Sequence, residues 1–474
     1  MGQEIDADLC IIGAGSGGLS VAAGAAQMGA KCVLVEKGKM GGDCLNYGCV
    51  PSKSLLAAGH AAQVAREGAR FGVNVGQPSI DFAAVQGHVH GVIAGIAPHD
   101  SVERFEDLGV TVIQEEGRFT GPSELVAGDA VVRARRFVIA TGSRPFVPPI
   151  EGIDQVPFLT NETVFDMTEA PTRLIVIGGG PIGLEMAQAH RRLGAEVAVV
   201  EALNILNKDD PELVDVVRGR ITAEGIELHE GAKVTGVAAT GDGVRVTLDD
   251  DGEARQIEGS HLLVAVGRAP NVEGLGLEAA GVTCSRGGIE VDARLRTANK
   301  KIFAIGDVAG GYQFTHVANY HAGIVIRNAL FRLPAKADHS AVPWVTFTEP
   351  ELAHVGLSEA EARKSGLDPK ILRATFAEND RARTERAEDG FIKALVGAKG
   401  RVLGASIVGP HAGELILPWV FAVQGKLRVK DLASVIAPYP TLSEITKRAA
   451  GSFYTPSLFS ERTRWMVRLL ARLG

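Results

Sequence analysis

The sequence predicts an α/β fold in which one strand–helix–strand unit is used twice and a separate α+β domain follows. Two segments support the repeated unit, because each passes from an apolar strand through a glycine-rich turn into a helix and a second strand: ADLCIIGAGSGGLSVAAGAAQMGAKCVLVE and RLIVIGGGPIGLEMAQAHRRLGAEVAVVE. The third observation is a change after about Pro343, where amphipathic helices and strands continue without another glycine fingerprint. We therefore expect two Rossmann-like dinucleotide-binding domains and a C-terminal α+β interface domain.

The composition is that of an ordinary folded protein and excludes several classes. Of 474 residues, 46% are hydrophobic and 22% are charged, which suits a chain of about two to four domains. The net charge of −7 gives no global attraction to nucleic acid, so we expect no nucleic-acid partner. We expect a cytoplasmic protein, because the N-terminus has no signal-peptide pattern and no apolar run reaches the ~18 residues of a membrane span.

Each repeated unit contains a dinucleotide fingerprint of three glycines and a later carboxylate. The first glycine makes the turn, the second lets backbone N–H groups approach a pyrophosphate, and the third lets the helix pack on the strand. The helix N-terminus favours the negative charge. The carboxylate, 23 positions after the first glycine in both units, would accept hydrogen bonds from an adenosine ribose. The residues are Gly13, Gly15, Gly18 and Glu36 in the first unit and Gly178, Gly180, Gly183 and Glu201 in the second.

Two dinucleotide sites in one chain indicate one dinucleotide that is held and one that exchanges, which is the organisation of a flavoprotein dehydrogenase. We therefore expect FAD and NAD as cofactors. Glu201 favours NADH over NADPH, because a carboxylate accepts a free ribose 2′-hydroxyl and repels a 2′-phosphate. The residues that follow it, ALNILNKDDPE, contain no arginine and only Lys208 as a cation.

Later glycine turns end further predicted strands. VIATGSRP and LVAVGRAPN each follow an apolar strand and would mark where the chain leaves and re-enters domains. IFAIGDVAGG places Asp307 at the carboxyl end of a strand, where open α/β sheets bind ligands. We expect an FAD-binding domain, an NAD-binding domain, a segment that returns to the FAD domain, and an interface domain with a C-terminal tail, at residues 1–148, 149–271, 272–342 and 343–474.

Cys44 and Cys49 are the candidates for redox chemistry. Five cysteines are too few for a disulfide framework in a chain of this length, and Cys10 and Cys32 lie in apolar runs, while Cys284 stands alone. If a helix begins near Cys44, the two side chains lie about one turn apart, and the helix N-terminus would favour the thiolate. No second Cys/His pair has zinc-type spacing, so we expect no metal site.

The segment GGDCLNYGCVPSK, together with the two fingerprints, resembles the flavoprotein disulfide reductases, the group of dihydrolipoamide dehydrogenase, glutathione reductase and mercuric reductase. The resemblance covers about residues 5–450. It implies that Cys49 is the charge-transfer thiolate near the flavin and that Cys44 is the exposed interchange thiol. Lys53 matches the lysine beside flavin N5, and Glu185 in GGPIGLE matches its ion-pair partner. A cation near N5 stabilises reduced flavin, and a buried lysine needs a counter-charge.

The same resemblance implies further cofactor contacts. Those to the nicotinamide dinucleotide fall at Val234 and Gly267. His316 has a family counterpart without an acid–base role, and His411 belongs to the interface domain as a structural residue. The implied FAD contacts are Glu36, Gly42, Lys53, Gly117, Thr141, Gly142, Ser143, Asp307 and Thr315.

The C-terminal stretch APYPTLSE departs from the family pattern. Members with disulfide substrates carry a His-Pro-Thr…Glu stretch that reaches the other subunit's active site, where the histidine is the acid–base for the dithiol. Here Tyr439 replaces the histidine, and Glu444 is retained. A phenol titrates near pH ~10 and an imidazole near ~6.5, so Tyr439 is a poor base at neutral pH. We expect a head-to-tail homodimer in which both residues face the partner subunit's Cys44, with impaired lipoamide and glutathione chemistry.

The electron acceptor stays open between a disulfide or lipoyl-type group and a soft metal ion. Mercuric reductases also place a tyrosine in this region, but they add a C-terminal cysteine pair, and this chain ends RTRWMVRLLARLG. The alternatives are an NADH oxidase or quinone diaphorase and a non-catalytic NAD(H)-sensing flavoprotein. Retention of Cys44, Cys49, Lys53 and Glu185 argues against the last.

The tail SLFSERTRWMVRLLARLG predicts a basic amphipathic helix. Arg464, Arg468 and Arg472 recur every four residues on one face, and the apolar residues Met466, Leu469, Leu470 and Leu473 lie roughly opposite. We expect the apolar face to pack on the protein's own interface domain. The alternative is a weak contact of residues 458–474 with an anionic membrane or an acidic partner.

Overall fold

The first glycine-rich unit begins a seven-stranded sheet in the computed structural model, which describes residues 3–250 and 252–473. The first elements are β1 (Gln3–Ile12), α1 (Ser16–Gln27), β2 (Cys32–Val35), α2 (Gly42–Asn46), α3 (Cys49–Glu67), α4 (Phe82–Ile96), α5 (Val102–Asp107), β3 (Val110–Ile113), β4 (Gly117–Gly121), β5 (Glu124–Ala127), β6 (Ala130–Ile139) and β7 (Ser143–Pro145). The sheet order is β3-β2-β1-β6-β5-β4, and a strand from later in the chain, Ile302–Ala304, pairs with β6.

The parallel strands β1, β2 and β6 are apolar toward their carboxyl ends, where both faces of the sheet are covered. In β1 and β2, Cys10 and Val33 pack in the core on one face, whereas Leu9 and Cys32 pack in the core on the other. All four side chains are buried. This alternation explains why the strands read as continuous hydrophobic runs, and it places Cys10 and Cys32 on opposite faces of the sheet.

The second glycine-rich unit forms a parallel sheet in which β9 and β14 lie on either side of β8. Beside it in the sequence, β11, β12 and β13 form an antiparallel sheet. The elements of this segment are β8 (Arg173–Ile177), α6 (Pro181–Arg192), β9 (Glu196–Glu201), α7 (Pro211–Ala223), β10 (Ile226–Glu230), β11 (Lys233–Ala239), β12 (Val244–Asp250), β13 (Glu253–Gly259), β14 (His261–Val264), β15 (Arg268–Pro270), α8 (Leu277–Ala280), β16 (Cys284–Ser285), β17 (Gly288–Ile289), β18 (Ile302–Ala304) and α9 (Thr315–Ala329).

The C-terminal segment is built on an antiparallel five-stranded sheet, ordered β19-β20-β23-β22-β21. Its core contains a fully buried Trp419, whose indole N–H donates to Thr446 Oγ1 at 3.2 Å. The elements are β19 (Trp344–Thr346), β20 (Glu351–Gly356), α10 (Glu359–Lys364), β21 (Lys370–Thr375), α11 (Asp380–Thr384), β22 (Phe391–Val396), β23 (Val402–Gly409), α12 (Ala412–Leu415), α13 (Leu417–Gln424), α14 (Val429–Ala433), α15 (Glu444–Ser452), α16 (Thr455–Leu458) and α17 (Glu461–Leu470).

The described residues divide into two compact units. One comprises residues 3–178, 189–200 and 232–338, and the other comprises 179–188, 201–231 and 339–473. The α/β class with a separate C-terminal domain is confirmed, while the four-part domain division stays a prediction.

A buried lysine links α7 to the C-terminal sheet within the second unit. Lys393 on β22 is 2% exposed, and its ammonium group lies 2.6 Å from Asp210, 2.9 Å from Glu212 and 2.7 Å from Glu359. A buried charge is tolerated only when it is paired. The three carboxylates, which raise the pKa of Lys393 against the effect of burial, supply that pairing.

The tail forms the expected helix but does not pack as expected. No residue of α17 is buried, and large apolar side chains such as Trp465 and Leu470 are more than half exposed. The expectation that this face packs on the protein's own interface domain is therefore wrong for the single chain. The reason is that the C-terminal core ends at Ala450, with Phe453 and Tyr454 at its edge. Of the described helices, none is long and apolar enough to cross a membrane.

Candidate functional site

The first fingerprint turn is shaped by steric limits that only glycine meets. Gly13 has φ +104°, and a Cβ there would lie 2.4 Å from the Ala140 carbonyl oxygen. A Cβ on Gly18 would lie 1.8 Å from the Gly13 carbonyl oxygen, so α1 packs directly on the turn. A Cβ on Gly42 would lie 2.7 Å from Gly15 Cα. The backbone therefore leaves a narrow side-chain-free cradle at the start of α1, where a pyrophosphate fits.

Glu36 completes this cradle at the end of β2. Its carboxylate accepts hydrogen bonds from the backbone N–H groups of Ala14 at 2.5 Å and Gly38 at 2.7 Å. No side chain caps the N-terminus of α1 at Gly15, so that terminus keeps its capacity to bind an anion. The donor and acceptor set fits an adenine dinucleotide.

The second fingerprint has the same construction. Gly178 has φ +114°, and a Cβ there would lie 2.4 Å from the Ala265 carbonyl oxygen. The Glu201 carboxylate accepts hydrogen bonds from the N–H groups of Gly179 at 2.8 Å and Leu203 at 2.9 Å. A Cβ on Gly180 would meet nothing within 4 Å. This turn therefore also fits a dinucleotide.

The two redox candidates lie on two helices rather than on one. Cys44 is within the short helix α2, and Cys49 is the first residue of α3. The interpretation of one helix that begins near Cys44 is corrected accordingly, because the chain turns between the helices at Tyr47 and Gly48. Both cysteines are thiols in this structure, with Cys44 half-buried and Cys49 exposed. The helix N-terminus that favours a thiolate therefore lies at Cys49.

The surroundings of Cys49 stabilise its thiolate. The pKa of Cys49 is lowered to about 6, chiefly by a hydrogen bond from the Cys44 thiol, although neighbouring protein atoms partly desolvate the sulfur and oppose this shift. Thr315 Oγ1, which lies 3.4 Å from Cys49 Sγ, and the charge of Lys53 contribute to this lowered pKa, while Asp43 opposes it. The same thiol–thiolate hydrogen bond, followed by burial, raises the pKa of Cys44. Near neutral pH the pair therefore holds one negative charge, on Cys49.

A charged network that the sequence analysis did not identify lies beside Cys44. Arg268 Nη2 is 3.0 Å from Asp43 Oδ1, and Asn161 Nδ2 donates to the same oxygen at 3.1 Å. Arg268 also donates from Nε to Ser143 Oγ at 2.7 Å, and Ser143 Oγ donates to Asp307 Oδ2 at 2.5 Å. The only sequence signal was the position of Arg268 directly after Gly267, since Asn161 lies in a stretch without a recognised motif.

Two of the predicted FAD contacts, Ser143 and Asp307, belong to this network, and a third, Thr141, is held by a separate pair of hydrogen bonds. Ser143 and Asp307 share the hydrogen bond described above, and burial raises the pKa of Asp307 against the opposing effects of Ser143 and Arg268. Thr141 is fixed by Asn271, because Thr141 Oγ1 donates to the Asn271 carbonyl at 2.7 Å and Asn271 Nδ2 donates back to the Thr141 carbonyl at 2.9 Å.

The remaining predicted contacts lie at the ends or edges of elements. Gly142 and Gly267 have φ of +68° and +135°, conformations that favour glycine. Gly117 starts β4 and is buried, Val234 is half-buried on β11, and Thr315 starts α9. Their cofactor roles stay predictions.

Glu185 is buried on α6 and has a defined backbone partner. Its Oε1 accepts a hydrogen bond from Phe347 N at 3.0 Å, and Gln188, one turn later, accepts from Glu349 N at 2.7 Å. Lys53 lies on α3 in the other compact unit. The expected Lys53–Glu185 ion pair stays a prediction.

Tyr439 and Glu444 have separate partners. Tyr439 is 71% exposed, and its hydroxyl donates to Asp380 Oδ2 at 3.2 Å. Glu444 accepts from Thr441 N at 3.3 Å. The charge of Asp380 and its hydrogen bond raise the pKa of Tyr439, which further lowers the fraction of phenolate that could act as a base at neutral pH. Asp380 is a second residue that the motif pattern did not indicate. Among the described residues no cluster of His, Cys, Asp and Glu is arranged to hold a metal ion.

Known proteins resemble the whole chain. Residues 7–322 match the pyridine nucleotide-disulphide oxidoreductase family, and residues 342–450 match its dimerisation domain. A mercuric reductase of Bacillus cereus is 37% identical over 451 residues, covering 94% of this chain and 72% of the relative. A dihydrolipoyl dehydrogenase of Geobacillus stearothermophilus is 35% identical over 461 residues, covering 94% and 96%.

A solved structure shows the same architecture. The Cu(II) complex of the HOCl-induced flavoprotein disulfide reductase RclA from Escherichia coli has a TM-score of 0.84 and 28% identity. The match covers 92% of this chain and 98% of that protein. The likeness therefore extends over all the domains, not only over the glycine-rich turns.

Removing the Thr315 hydroxyl is expected to raise the pKa of Cys49. Thr315→Ala deletes a hydrogen bond to the thiolate, so the pKa should rise by about one unit. The measurement is the pH dependence of Cys49 alkylation by iodoacetamide in the reduced protein, resolved by mass spectrometry. Ser52→Ala is the matched control, because the Ser52 hydroxyl contacts the Cys49 carbonyl at 3.3 Å and not the sulfur. A Thr315→Ala midpoint equal to that of the wild type would contradict the assignment.

Proposed function

Because this chain belongs to the pyridine nucleotide-disulphide oxidoreductase family, whose members are FAD-containing, NAD(P)-dependent enzymes, we propose that it passes electrons from NADH to the Cys44–Cys49 disulfide and then to an external acceptor. The family resemblance predicted from the sequence is confirmed by these matches. The observation that carries the proposal is the thiol pair itself, with one sulfur held as a thiolate near neutral pH. When bound, FAD supplies two-electron transfer between the nicotinamide and this pair.

The chain's own residues stabilise the thiolate, hold the proton and bind the dinucleotides. Opening the disulfide takes up two electrons and one proton, which leaves a thiolate at Cys49 and a thiol at Cys44. Thr315 and Lys53 stabilise the thiolate by a hydrogen bond and by charge. Cys44, whose pKa is higher, keeps the proton until its sulfur reacts with an acceptor, and the proton is then released. The Glu36 and Glu201 turns hold the two dinucleotides in this proposal.

The acceptor that the geometry favours is a soft metal ion. Efficient exchange with a lipoyl or glutathione disulfide needs a base at the position of Tyr439, and this phenol is bound to Asp380, which raises its pKa. A soft divalent ion needs only the two sulfurs as ligands. The overall reaction then balances as oxidation of NADH to NAD⁺ and a proton, with two-electron reduction of the ion. The name of the Bacillus cereus relative and the Cu(II) complex of RclA support this choice.

An acceptor panel tests this choice. With NADH, mercuric ion should be reduced, and Cys44→Ser and Cys49→Ser should each abolish the reaction while FAD stays bound. Lipoamide turnover should be ~10²–10⁴-fold below that of an enzyme with a positioned base, and Tyr439→His should raise it, whereas the control Tyr439→Phe should not. Fast lipoamide turnover by the wild type would contradict the metal proposal. Quinone or oxygen reduction that survives Cys44→Ser would point to a flavin oxidase or diaphorase instead.

The nucleotide preference follows from Glu201. Its carboxylate is held at the turn by two backbone N–H groups, so a ribose 2′-phosphate would meet a fixed negative charge. We expect kcat/KM for NADH to exceed that for NADPH by more than ~tenfold, or ~1.4 kcal/mol. Steady-state assays with both nucleotides decide this, and Glu201→Gln should narrow the ratio. A preference for NADPH in the wild type would overturn the assignment.

The dimerisation domain indicates homodimerisation in this family. We propose a head-to-tail arrangement in which Tyr439 and Glu444 face the partner subunit's Cys44. The high exposure of Tyr439 in the single chain supports it. Light scattering that reports an active monomer would rule it out. A cytoplasmic location stays a prediction.

We propose that the tail binds anionic membrane surfaces weakly and reversibly. Residues 461–473 carry four arginines against one glutamate, and the apolar face of α17 is exposed along its length. A helix with one apolar and one cationic face binds the boundary of an anionic bilayer. The full chain should sediment with phosphatidylglycerol vesicles at low salt and not with phosphatidylcholine vesicles. A chain that ends at Pro456 should stay in solution with both, and equal sedimentation of the two chains would contradict the proposal.

A further inference from the structure

Asp43 joins the redox segment to residues that are distant in the sequence. It directly precedes Cys44 on α2, and its Oδ1 lies 3.0 Å from Arg268 Nη2. The same oxygen accepts a hydrogen bond from Asn161 Nδ2 at 3.1 Å, and Asn161 Nδ2 also donates to the carbonyl of Tyr47 at 3.2 Å. One amide therefore fixes both the start and the end of the short helix that carries Cys44.

Arg268 is a rigid anchor for this carboxylate. Its side chain is 11% exposed. Nε donates to Ser143 Oγ at 2.7 Å, and Nη2 donates to the Ser143 carbonyl at 2.8 Å. Asp307 Oδ2 lies 3.9 Å from Nε. A guanidinium that is held by several fixed acceptors has little freedom to follow a moving partner. Asp43 is therefore tied to the framework of β7 and β15, and not merely to another surface side chain.

The second oxygen of Asp43 faces the turn between the two cysteines. A Cβ on Gly48 would lie 2.9 Å from Asp43 Oδ2, so the carboxylate fills the space beside the residue that precedes Cys49. The backbone N–H of Tyr47 also donates to the Asp43 carbonyl at 2.8 Å. Asp43 thus contacts both residues, Tyr47 and Gly48, at which the chain turns between α2 and α3.

We propose that Asp43 is a positioning residue, which through Arg268 and Asn161 holds α2 so that Cys44 stays within reach of Cys49. The inference rests on the proposed redox function of this pair. Closing the disulfide forms the S–S bond and releases two electrons from the thiol–thiolate pair and one proton from the Cys44 thiol. When α2 is loosened, the effective concentration of one sulfur at the other falls. The equilibrium between dithiol and disulfide then shifts toward the dithiol.

The test is the dithiol–disulfide equilibrium of the full-length, FAD-bound protein. The protein is equilibrated in buffers of reduced and oxidised dithiothreitol, which supply and accept the two electrons while the buffer balances the protons, and the thiols are then alkylated and counted by mass spectrometry. Asp43→Ala should shift the equilibrium constant about fivefold toward the dithiol, because hydrogen bonds to a charged acceptor are lost. It should also speed alkylation of Cys44.

Companion variants distinguish the positioning effect of Asp43 from the effect of its charge and from the effect of losing any nearby ion pair. Asp43→Asn keeps an acceptor for Arg268 and Asn161, so its equilibrium should move less than that of Asp43→Ala. It removes the negative charge near Cys49, however, and should therefore lower the pH midpoint of Cys49 alkylation. Glu273→Gln is the matched control. It removes the charge of the 2.9 Å Arg144–Glu273 pair, which joins β7 to the residues just after β15, and it leaves α2 untouched. It should leave the equilibrium unchanged.

The outcomes distinguish this inference from the proposed function. If Asp43→Ala does not bind FAD, Asn161→Ala provides the same test and should shift the equilibrium in the same direction. The folded variants could instead show the same dithiol–disulfide equilibrium constant and the same rate of Cys44 alkylation as the wild type. That result would overturn the positioning role of Asp43 and leave the proposed redox function standing. A wild-type protein that forms no Cys44–Cys49 disulfide in any of these buffers would instead overturn the proposed function, and the inference with it.

Discussion

The hydrogen bond from the Cys44 thiol to the Cys49 thiolate is the interaction on which the functional site depends. It lowers the pKa of Cys49 to about 6 and raises that of Cys44, so the reduced pair holds one charge at a defined sulfur. The neighbouring residues either stabilise the negative charge on Cys49 or hold the Cys44 thiol in place. The start of α3, Thr315 and Lys53 stabilise the thiolate, and the short helix α2 places the thiol beside it.

The parts of the fold that could be predicted are those with a local steric cause. Gly13 and Gly18 are required because any Cβ would collide with backbone a few residues or one strand away, and that requirement leaves a spacing that can be read in the sequence. The positions of Glu36 and Glu201 follow from the fixed length of a strand–helix–strand unit, and each carboxylate accepts a hydrogen bond from a backbone N–H of its glycine-rich turn.

The parts that could not be predicted depend on topology or on the absence of a neighbour. Arg268 and Asn161 meet Asp43 only because strands that are far apart in the sequence end close together. Asp380 beside Tyr439 belongs to a short helix without a motif. A periodic pattern identified the amphipathic tail, but the pattern contains no information on what covers the apolar face, and the described part of the chain leaves no residue of α17 buried. The spacing of Cys44 and Cys49 also did not predict the turn that separates α2 from α3.

The charge of the reduced cysteine pair tests the account most directly. The FAD-bound protein is titrated anaerobically with one equivalent of NADH over a pH series, and the long-wavelength charge-transfer absorbance is recorded. The account predicts that the band is present at neutral pH and is lost as the pH falls through about 6, because the thiolate of Cys49 is then protonated. Cys49→Ser should lack the band at every pH. A band of wild-type intensity in Cys49→Ser would contradict the assignment of the thiolate and, with it, the proposed route of the electrons.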